Sequence, residues 1–279
     1  MNVNRYQQEL EIASHLAREA GRAIMDVYFG HLETLLKQDG TPVTNADFRA
    51  TDIIVEGLER AFPSDSIVSE ERPGTAPDKA RVWYVDPLDG TRGFTERSDQ
   101  FAVHIGLAEE QRPVLGIVYK PTTGETYSGI KGRGAYHSVP GILERKLEIL
   151  PSREGFSIVV DKNALKEPHW QKVEEVFAPA RIMVSGSQGL RMMKVAENIA
   201  DLHFSNSPTS CSTWDLCAPH SIVLEAGGYV RYLDGEPVLY RGQRKLGKHF
   251  VVARNEEVGE KARELLQQIL QDNNINKVL

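Results

Sequence analysis

Two aspartates stand three residues apart in the segment Asp86-Pro87-Leu88-Asp89-Gly90-Thr91, directly after the apolar run Val82-Trp83-Tyr84-Val85. A buried strand that ends in carboxylates delivers them to its carboxyl end, a usual place for sites in layered α/β folds. Gly90 removes a Cβ that would keep a ligand off the main chain, and Thr91 opens a helical turn whose first amides face an anion. Two acids, a glycine and a hydroxyl in six residues describe a metal site beside a phosphate cradle. An ordinary Asx turn is the competing reading of these six residues alone, because Asp and Gly are common in turns.

Further acids bear on that choice. Glu70-Glu71 ends the apolar run Ser66-Ile67-Val68-Ser69, Asp215 follows the cap candidates Ser212 and Thr213, and Asp47 lies early in a capped segment. A single acid near a helix start is ordinarily a cap or a dipole partner. Several acids after apolar strands are harder to explain as structure, since packed like charges repel unless a cation neutralises them. All the candidate ligands are oxygen donors, which favours Mg²⁺, Mn²⁺ or Ca²⁺ over Zn²⁺. Their spacing is not that of a calcium-binding helix–loop–helix. Magnesium with phosphate chemistry fits best.

These residues need elements to hold them. Apolar positions from Tyr6 to Phe29 recur at helical spacing, and Gly30 supplies a stop. A turn at Asp39-Gly40 precedes a second helix, capped by Thr44 or Asn45 and running to about Phe62. Glu71 to Ala80 reads as a loop, and Val82–Val85 as a strand covered on both faces. Phe101–Leu107, Val114–Tyr119 and Tyr127–Tyr136 continue as a meandering sheet. His104 and the aromatics Trp83 and Tyr84 read as core residues. In the second half, strands at 156–160 and 181–184 alternate with helices at 170–177, at 190–200 and after Trp214, an α/β layer rhythm. A boundary near Pro151–Glu154 divides the chain into 1–152, an α+β metal-binding part, and 153–279, an α/β part.

The chain has 279 residues, 41% of them hydrophobic and 26% charged, so it can bury a core without disulfides or a structural metal. Net charge is −6 and the basic residues are scattered, which argues against coating a nucleic-acid polymer. Cys211 and Cys217 are the only cysteines; they lack a zinc spacing and read as buried thiols in a reducing compartment. No apolar run is long enough to span a bilayer, and the first thirty residues lack the apolar stretch of a secretory signal. A cytoplasmic protein is the expectation.

At this point three separated motifs coincide. Glu70-Glu71, the Asp86–Thr91 segment, and Trp214-Asp215 followed by Gly227-Gly228 resemble the lithium-sensitive, magnesium-dependent phosphatases of the inositol monophosphatase superfamily. Pro42–Asp47 and Gly186-Ser187 fit as well, so the resemblance spans nearly the whole chain. It implies a layered αβαβα sandwich of the inositol monophosphatase/fructose-1,6-bisphosphatase type. It also implies that Glu70, Asp86, Asp89, Asp215 and the carbonyl of Leu88 bind two or three Mg²⁺ ions, with Mn²⁺ able to substitute. Glu70 and Thr91, the latter buttressed by Asp47, then position and deprotonate the attacking water. The amides of Gly90 and Thr91 hold the phosphate, and the metal between Asp86, Asp89 and Asp215 stabilises the leaving oxygen. Asp89, Gly90, Thr91, Ser187, Arg191 and Asp215 are the implied substrate contacts.

The flanks Val82–Val85, Arg92-Gly93-Phe94 and Trp214–Pro219 look like the bisphosphate nucleotidase branch, whose substrate is adenosine 3',5'-bisphosphate. Inositol monophosphatases carry an acid some seven positions before the Trp-Asp aspartate; here Ser205-Asn206-Ser207-Pro208 offers none. A small phosphorylated nucleotide is therefore the expected partner. Inositol phosphate, or another small monoester, is the alternative, and a catalytically silent metal- or phosphate-binding regulator is a second. Arg92, Arg191 and Lys194 are candidates for a second phosphate, each with a plain reading as a solvated helix charge. Pro219 cannot donate a main-chain N–H, so the helix after Asp215 is expected to start late or bend. Family members include monomers and dimers, and a homodimer is left open.

Overall fold

A computed structural model describes residues 5–38, 40–72, 79–150, 154–205, 207–209 and 211–272. Asp39, residues 73–78 of the expected loop, Pro151–Arg153 of the expected boundary and Asn206 lie outside the described residues. Two long helices, α1 (Gln7–Phe29) and α2 (Asn45–Ala61), flank the hairpin β1 (Thr34–Leu36) and β2 (Pro42–Thr44). Then follow β3 (Ser66–Ser69), β4 (Arg81–Asp89), the short α3 (Thr91–Thr95), β5 (Ala102–Glu109), β6 (Arg112–Lys120), β7 (Glu125–Ile130), β8 (Gly134–Ser138) and β9 (Arg145–Leu147). The second half contains β10 (Phe156–Val160), α4 (Trp170–Val176), β11 (Ala180–Val184), α5 (Gln188–Ala196) and β12 (Leu202–Phe204). It ends with α6 (Thr213–Glu225), β13 (Tyr229–Tyr232), β14 (Phe250–Ala253) and α7 (Glu256–Asp272).

Seven strands form one sheet in chain order from β3 to β9, parallel between β3 and β4 and antiparallel thereafter. The other sheet, ordered β11-β10-β12-β14-β13, is mixed. Alternation along β4 sorts its side chains: Trp83 and Val85 join the apolar stripes of α1 and α2, while Val82 and Tyr84 join α5 and α6. The five-stranded sheet lies on the far side of α5 and α6, giving them Val159, Val230 and Val252, and it turns Ile158, Val160 and Val251 toward α4 and α7. The layers are therefore helix, sheet, helix, sheet, helix. No helix among the described residues is long and apolar enough to cross a membrane.

The middle layer is drawn unusually close to the large sheet. Gly106, Gly116 and Gly129 are cross-strand neighbours on β5, β6 and β7. A Cβ on each would lie 2.7 Å from the Ala218 N, 2.0 Å from the Ala218 O and 2.8 Å from the Ile222 Cα. These are main-chain atoms of α6. Glycine inside a strand commonly marks such an approach, and here it lets α6 lie against the sheet with its first turn at the end of β4.

Two expectations about local structure need correction. α6 begins at Thr213 and runs through Pro219, so of the two outcomes expected at Pro219, a late start or a bend, the late start is ruled out. A capping box fixes that start, with Asp215 accepting from the Ser212 N–H at 2.6 Å, and the burial of Leu216, Cys217, Ala218, Ile222 and Val223 outweighs the one lost helical bond. The helix expected from Leu190 opens at Gln188, because the Ser187 hydroxyl accepts from the Leu190 N–H at 3.1 Å and caps it.

Candidate active site

Asp86 does not end its strand. β4 continues to Asp89, pairing Asp86 with His104 and Asp89 with Ala102, so that three steps on β4 span two on β5. A regular strand would point residues three apart to opposite faces. The extra residue of this bulge restores Asp89 to the face of Asp86, and both carboxylates look toward α5 and α6. Pro87 fits because a bulge residue needs no ladder N–H. Asp86 Oδ1 accepts from the Leu88 N–H at 3.0 Å. The Asx-turn reading is thus locally correct, and it coexists with the cluster.

Glu70 arrives from the end of β3, its N–H bonded to the Val85 carbonyl at 3.2 Å. Asp215 arrives from the first turn of α6. One carboxylate oxygen from each of Glu70, Asp86 and Asp215 lies within 4.8 Å of the other two. Burial, then the charges of Glu70, Asp89 and Asp215, push the Asp86 carboxyl well above the usual range. Burial and the charges of Glu70 and Asp89 raise Asp215 to about 7. Three such groups repel when ionised, and an all-oxygen set of this size fits a hard divalent cation. Main-chain N–H groups fix one oxygen of each of Asp86 and Asp215, from Leu88 and Ser212.

Asp89 stands outside that trio. Its Oδ2 accepts from the Ser187 hydroxyl and from the Gly189 N–H at 2.9 Å, so the start of α5 holds it. Asp47 joins two motifs: its Oδ2 accepts from the Thr44 N–H at 2.8 Å, and its Oδ1 faces the Thr91 Oγ1 at 3.3 Å. The Thr91 hydroxyl also lies 3.1 Å from the Leu88 carbonyl oxygen. Burial raises the Asp47 carboxyl to about 6, which leaves it able to accept a proton near neutral pH. Gly90 is explained differently from the sequence expectation. Its φ is 90°, and a Cβ there would sit 2.4 Å from the Gln100 carbonyl oxygen, so the turn itself requires glycine.

Among the expected phosphate-binding cations, Arg191 is buried; its two terminal nitrogens are occupied and its Nε has no hydrogen-bond partner among the described residues. Its Nη1 donates to the Ser185 and Gly186 carbonyls at 2.8 and 2.9 Å, and its Nη2 to the Gln188 Oε1 at 2.7 Å. It shapes the turn that presents Ser187. Arg92 is exposed beside the loop and Lys194 is half-buried in the last turn of α5. Cys211 and Cys217 are buried free thiols.

Two cations that spacing did not suggest reach the cluster. The Lys37 ammonium pairs with Glu70 at 2.6 Å and with Glu71. Burial opposes its charge, but the two carboxylates outweigh that and raise its pKa. A cation is thus already drawn to Glu70. Arg244 donates to the Ser69 and Glu70 carbonyls at 2.9 and 2.8 Å, and its guanidinium lies 4.5 Å from the centroid of the Trp214 ring. It ties the end of β3 to the start of α6. Nothing local in the sequence marks either residue.

The sequence matches the model of the inositol monophosphatase family over residues 5–273. It is 34% identical over 236 residues to the 3'(2'),5'-bisphosphate nucleotidase CysQ of Salmonella typhimurium, covering 83% of this chain and 93% of that protein. It is 30% identical over 250 residues to the histidinol-phosphatase of Chlorobaculum parvum, covering 88% and 94%. The crystal structure of CysQ from Bacteroides thetaiotaomicron superposes with a TM-score of 0.76 at 28% identity, over 90% of this chain and 99% of that one. Motifs, layers and relatives agree: the chain belongs to the inositol monophosphatase family.

Proposed function

We propose that the protein is a Mg²⁺-dependent phosphate-monoester hydrolase that converts adenosine 3',5'-bisphosphate to AMP and phosphate. The observation that carries the chemistry is the convergence of Glu70, Asp86 and Asp215 oxygens within 4.8 Å, next to the Thr91–Asp47 pair. The substrate rests on the 34% identity to a bisphosphate nucleotidase. Glu70, Asp86, Asp89, Asp215 and the Leu88 carbonyl would hold two or three Mg²⁺ ions, or Mn²⁺ in their place. Bound there, such ions neutralise the carboxylates, acidify a bound water and stabilise charge on the leaving oxygen.

The remaining steps belong to the chain. Glu70 and the Thr91 hydroxyl orient the attacking water. Thr91 takes the water's proton as it passes its own to Asp47, whose raised pKa suits an acceptor. The amides of Gly90 and Thr91 receive the phosphate oxygens, and Ser187 holds Asp89 by its Oδ2. Arg191 acts by shaping the Ser185-Gly186 turn, leaving exposed Arg92 to meet the second phosphate. Buried free thiols suit a cytoplasmic setting.

The histidinol-phosphatase relative brings a second substrate into consideration. Phosphate release from adenosine 3',5'-bisphosphate, inositol 1-phosphate, histidinol phosphate and fructose 1,6-bisphosphate, with and without Mg²⁺, decides among them. The nucleotide is expected to give the highest kcat/KM, with activity only when Mg²⁺ is present. Preference for any other ester overturns the substrate, and no turnover of any of the four favours a silent binder.

A further inference from the structure

His104 reads from sequence as a core histidine, and its burial is complete. Its surroundings are not those of an ordinary core residue. The register that pairs it with Asp86 aims its side chain at the face from which Asp86 and Asp89 project. Its Nε2 lies 3.3 Å from the Asp89 Oδ2, the oxygen that also accepts from Ser187 and Gly189. Neither ring nitrogen makes a hydrogen bond of good geometry among the described residues, so the Asp89 contact is electrostatic, and the Trp214 main chain is the other polar group that faces the ring. A buried imidazole is neutral, with one N–H to place, and the nearest charged acceptor is Asp89.

The ring is also confined. A Cβ on Gly189 would lie 2.1 Å from the His104 Nε2 and 2.5 Å from its Cε1, so the imidazole fills the space of the missing side chain. Gly189 has no left-handed backbone to explain it, and alanine is the better helix former. The glycine is explained by the ring.

We infer that His104, seated on Gly189, is a positioning residue for the metal centre: its Nε2, set against the Asp89 Oδ2 that Ser187 and the Gly189 amide already hold, keeps that oxygen in place and leaves Oδ1 for the cation. Every hydrogen bond that the described residues make to this carboxylate comes to Oδ2. The inference rests on the metal reading above and adds the residue that orients one ligand. His104 touches neither solvent nor substrate and acts only through Asp89.

The test is Mg²⁺ binding to the substrate-free protein by isothermal titration calorimetry, for the wild type, His104→Leu, His104→Gln and Gly189→Ala. His104→Leu removes the donor and keeps apolar bulk; it is expected to weaken binding by about tenfold or more, as loss of a ligand-orienting partner commonly does. His104→Gln restores an N–H and is expected to bind within about threefold of wild type. Gly189→Ala pushes the ring away and should match the leucine variant, which keeps the question decidable if His104→Leu does not fold. Wild-type affinity in both His104→Leu and Gly189→Ala overturns the inference and leaves the proposed function standing. A glutamine variant as weak as the leucine variant reduces His104 to packing and overturns it too. Failure of the wild type itself to bind Mg²⁺ sinks the metal reading and this inference together.

Discussion

A single methyl group far from any substrate should disable this site. Gly116→Ala places a Cβ 2.0 Å from the main-chain oxygen of Ala218, three residues along α6 from Asp215. No rotamer relieves that overlap, because the obstacle is backbone. To reach the 3.0 Å that Cβ contacts respect, β6 and α6 must separate by about 1 Å. Asp215 rides on the same helix turn, so its oxygen leaves the group formed with Glu70 and Asp86. A displacement of about 1 Å in a catalytic group costs about 10²-fold in rate. Overpacking costs about 1–3 kcal/mol, offset by about 0.4–1 kcal/mol from the stiffer unfolded chain. Unfolding should therefore come only a few degrees earlier, at about 2–4 °C per kcal/mol. Gly21→Ala is the control: its Cβ would meet the Tyr119 ring at 2.2 Å on the opposite face, so it should lower stability without lowering kcat. Kinetics of phosphate release at saturating Mg²⁺, with melting curves for both variants, provide the assay. Full turnover by Gly116→Ala would refute the claim that the glycine lane positions Asp215.

Acidity should read out the carboxylate cluster in the metal-free protein. The folded-state pKa of Asp215 is raised from 3.8 to about 7, so its contribution to stability is present below pH 4 and is lost as the pH rises through 7. In EDTA, wild type should lose more melting temperature than Asp215→Asn between pH 5 and 8, and Mg²⁺ should reverse the loss; identical pH profiles would contradict this. Arg244→Ala breaks the ties to Ser69 and Glu70 and the stacking on Trp214. We expect about a 10–100-fold loss in kcat or Mg²⁺ affinity and poor rescue by Arg244→Lys, which lacks the planar fork. Unimpaired activity in Arg244→Ala would show that β3 and α6 need no such tie.

Much of the site was legible because its residues signal locally. The stripes of α1 and α2, the apolar run before Asp86 and the box formed by Ser212 and Asp215 each lie within a few residues of one another. The bulge was not legible, since Asp86 and Asp89 suit a turn as well as a strand, and only pairing with β5 distinguishes them. Lys37 acts across 33 residues and Arg244 across 174, separations at which no spacing rule applies. His104 looked like core because burial is all that its neighbours in sequence predict. The glycine lane did leave a trace: Gly106, Gly116 and Gly129 each lie inside a strand, a placement that marks close backbone approach.

Asp86 sits at the middle of the proposed chemistry, so the most direct test is the Asp86→Asn variant followed as Mg²⁺ is titrated. Phosphate release from adenosine 3',5'-bisphosphate and heat of Mg²⁺ binding are measured on the same samples. The side chain keeps its size and its bond to the Leu88 N–H, so the fold should persist with an unchanged circular dichroism spectrum. We expect release by the wild type to rise from nothing with added Mg²⁺, and release by Asp86→Asn to stay at background while its Mg²⁺ binding collapses. Near-normal turnover by Asp86→Asn, or turnover by the wild type in excess EDTA, would contradict a reaction centred on Glu70, Asp86 and Asp215.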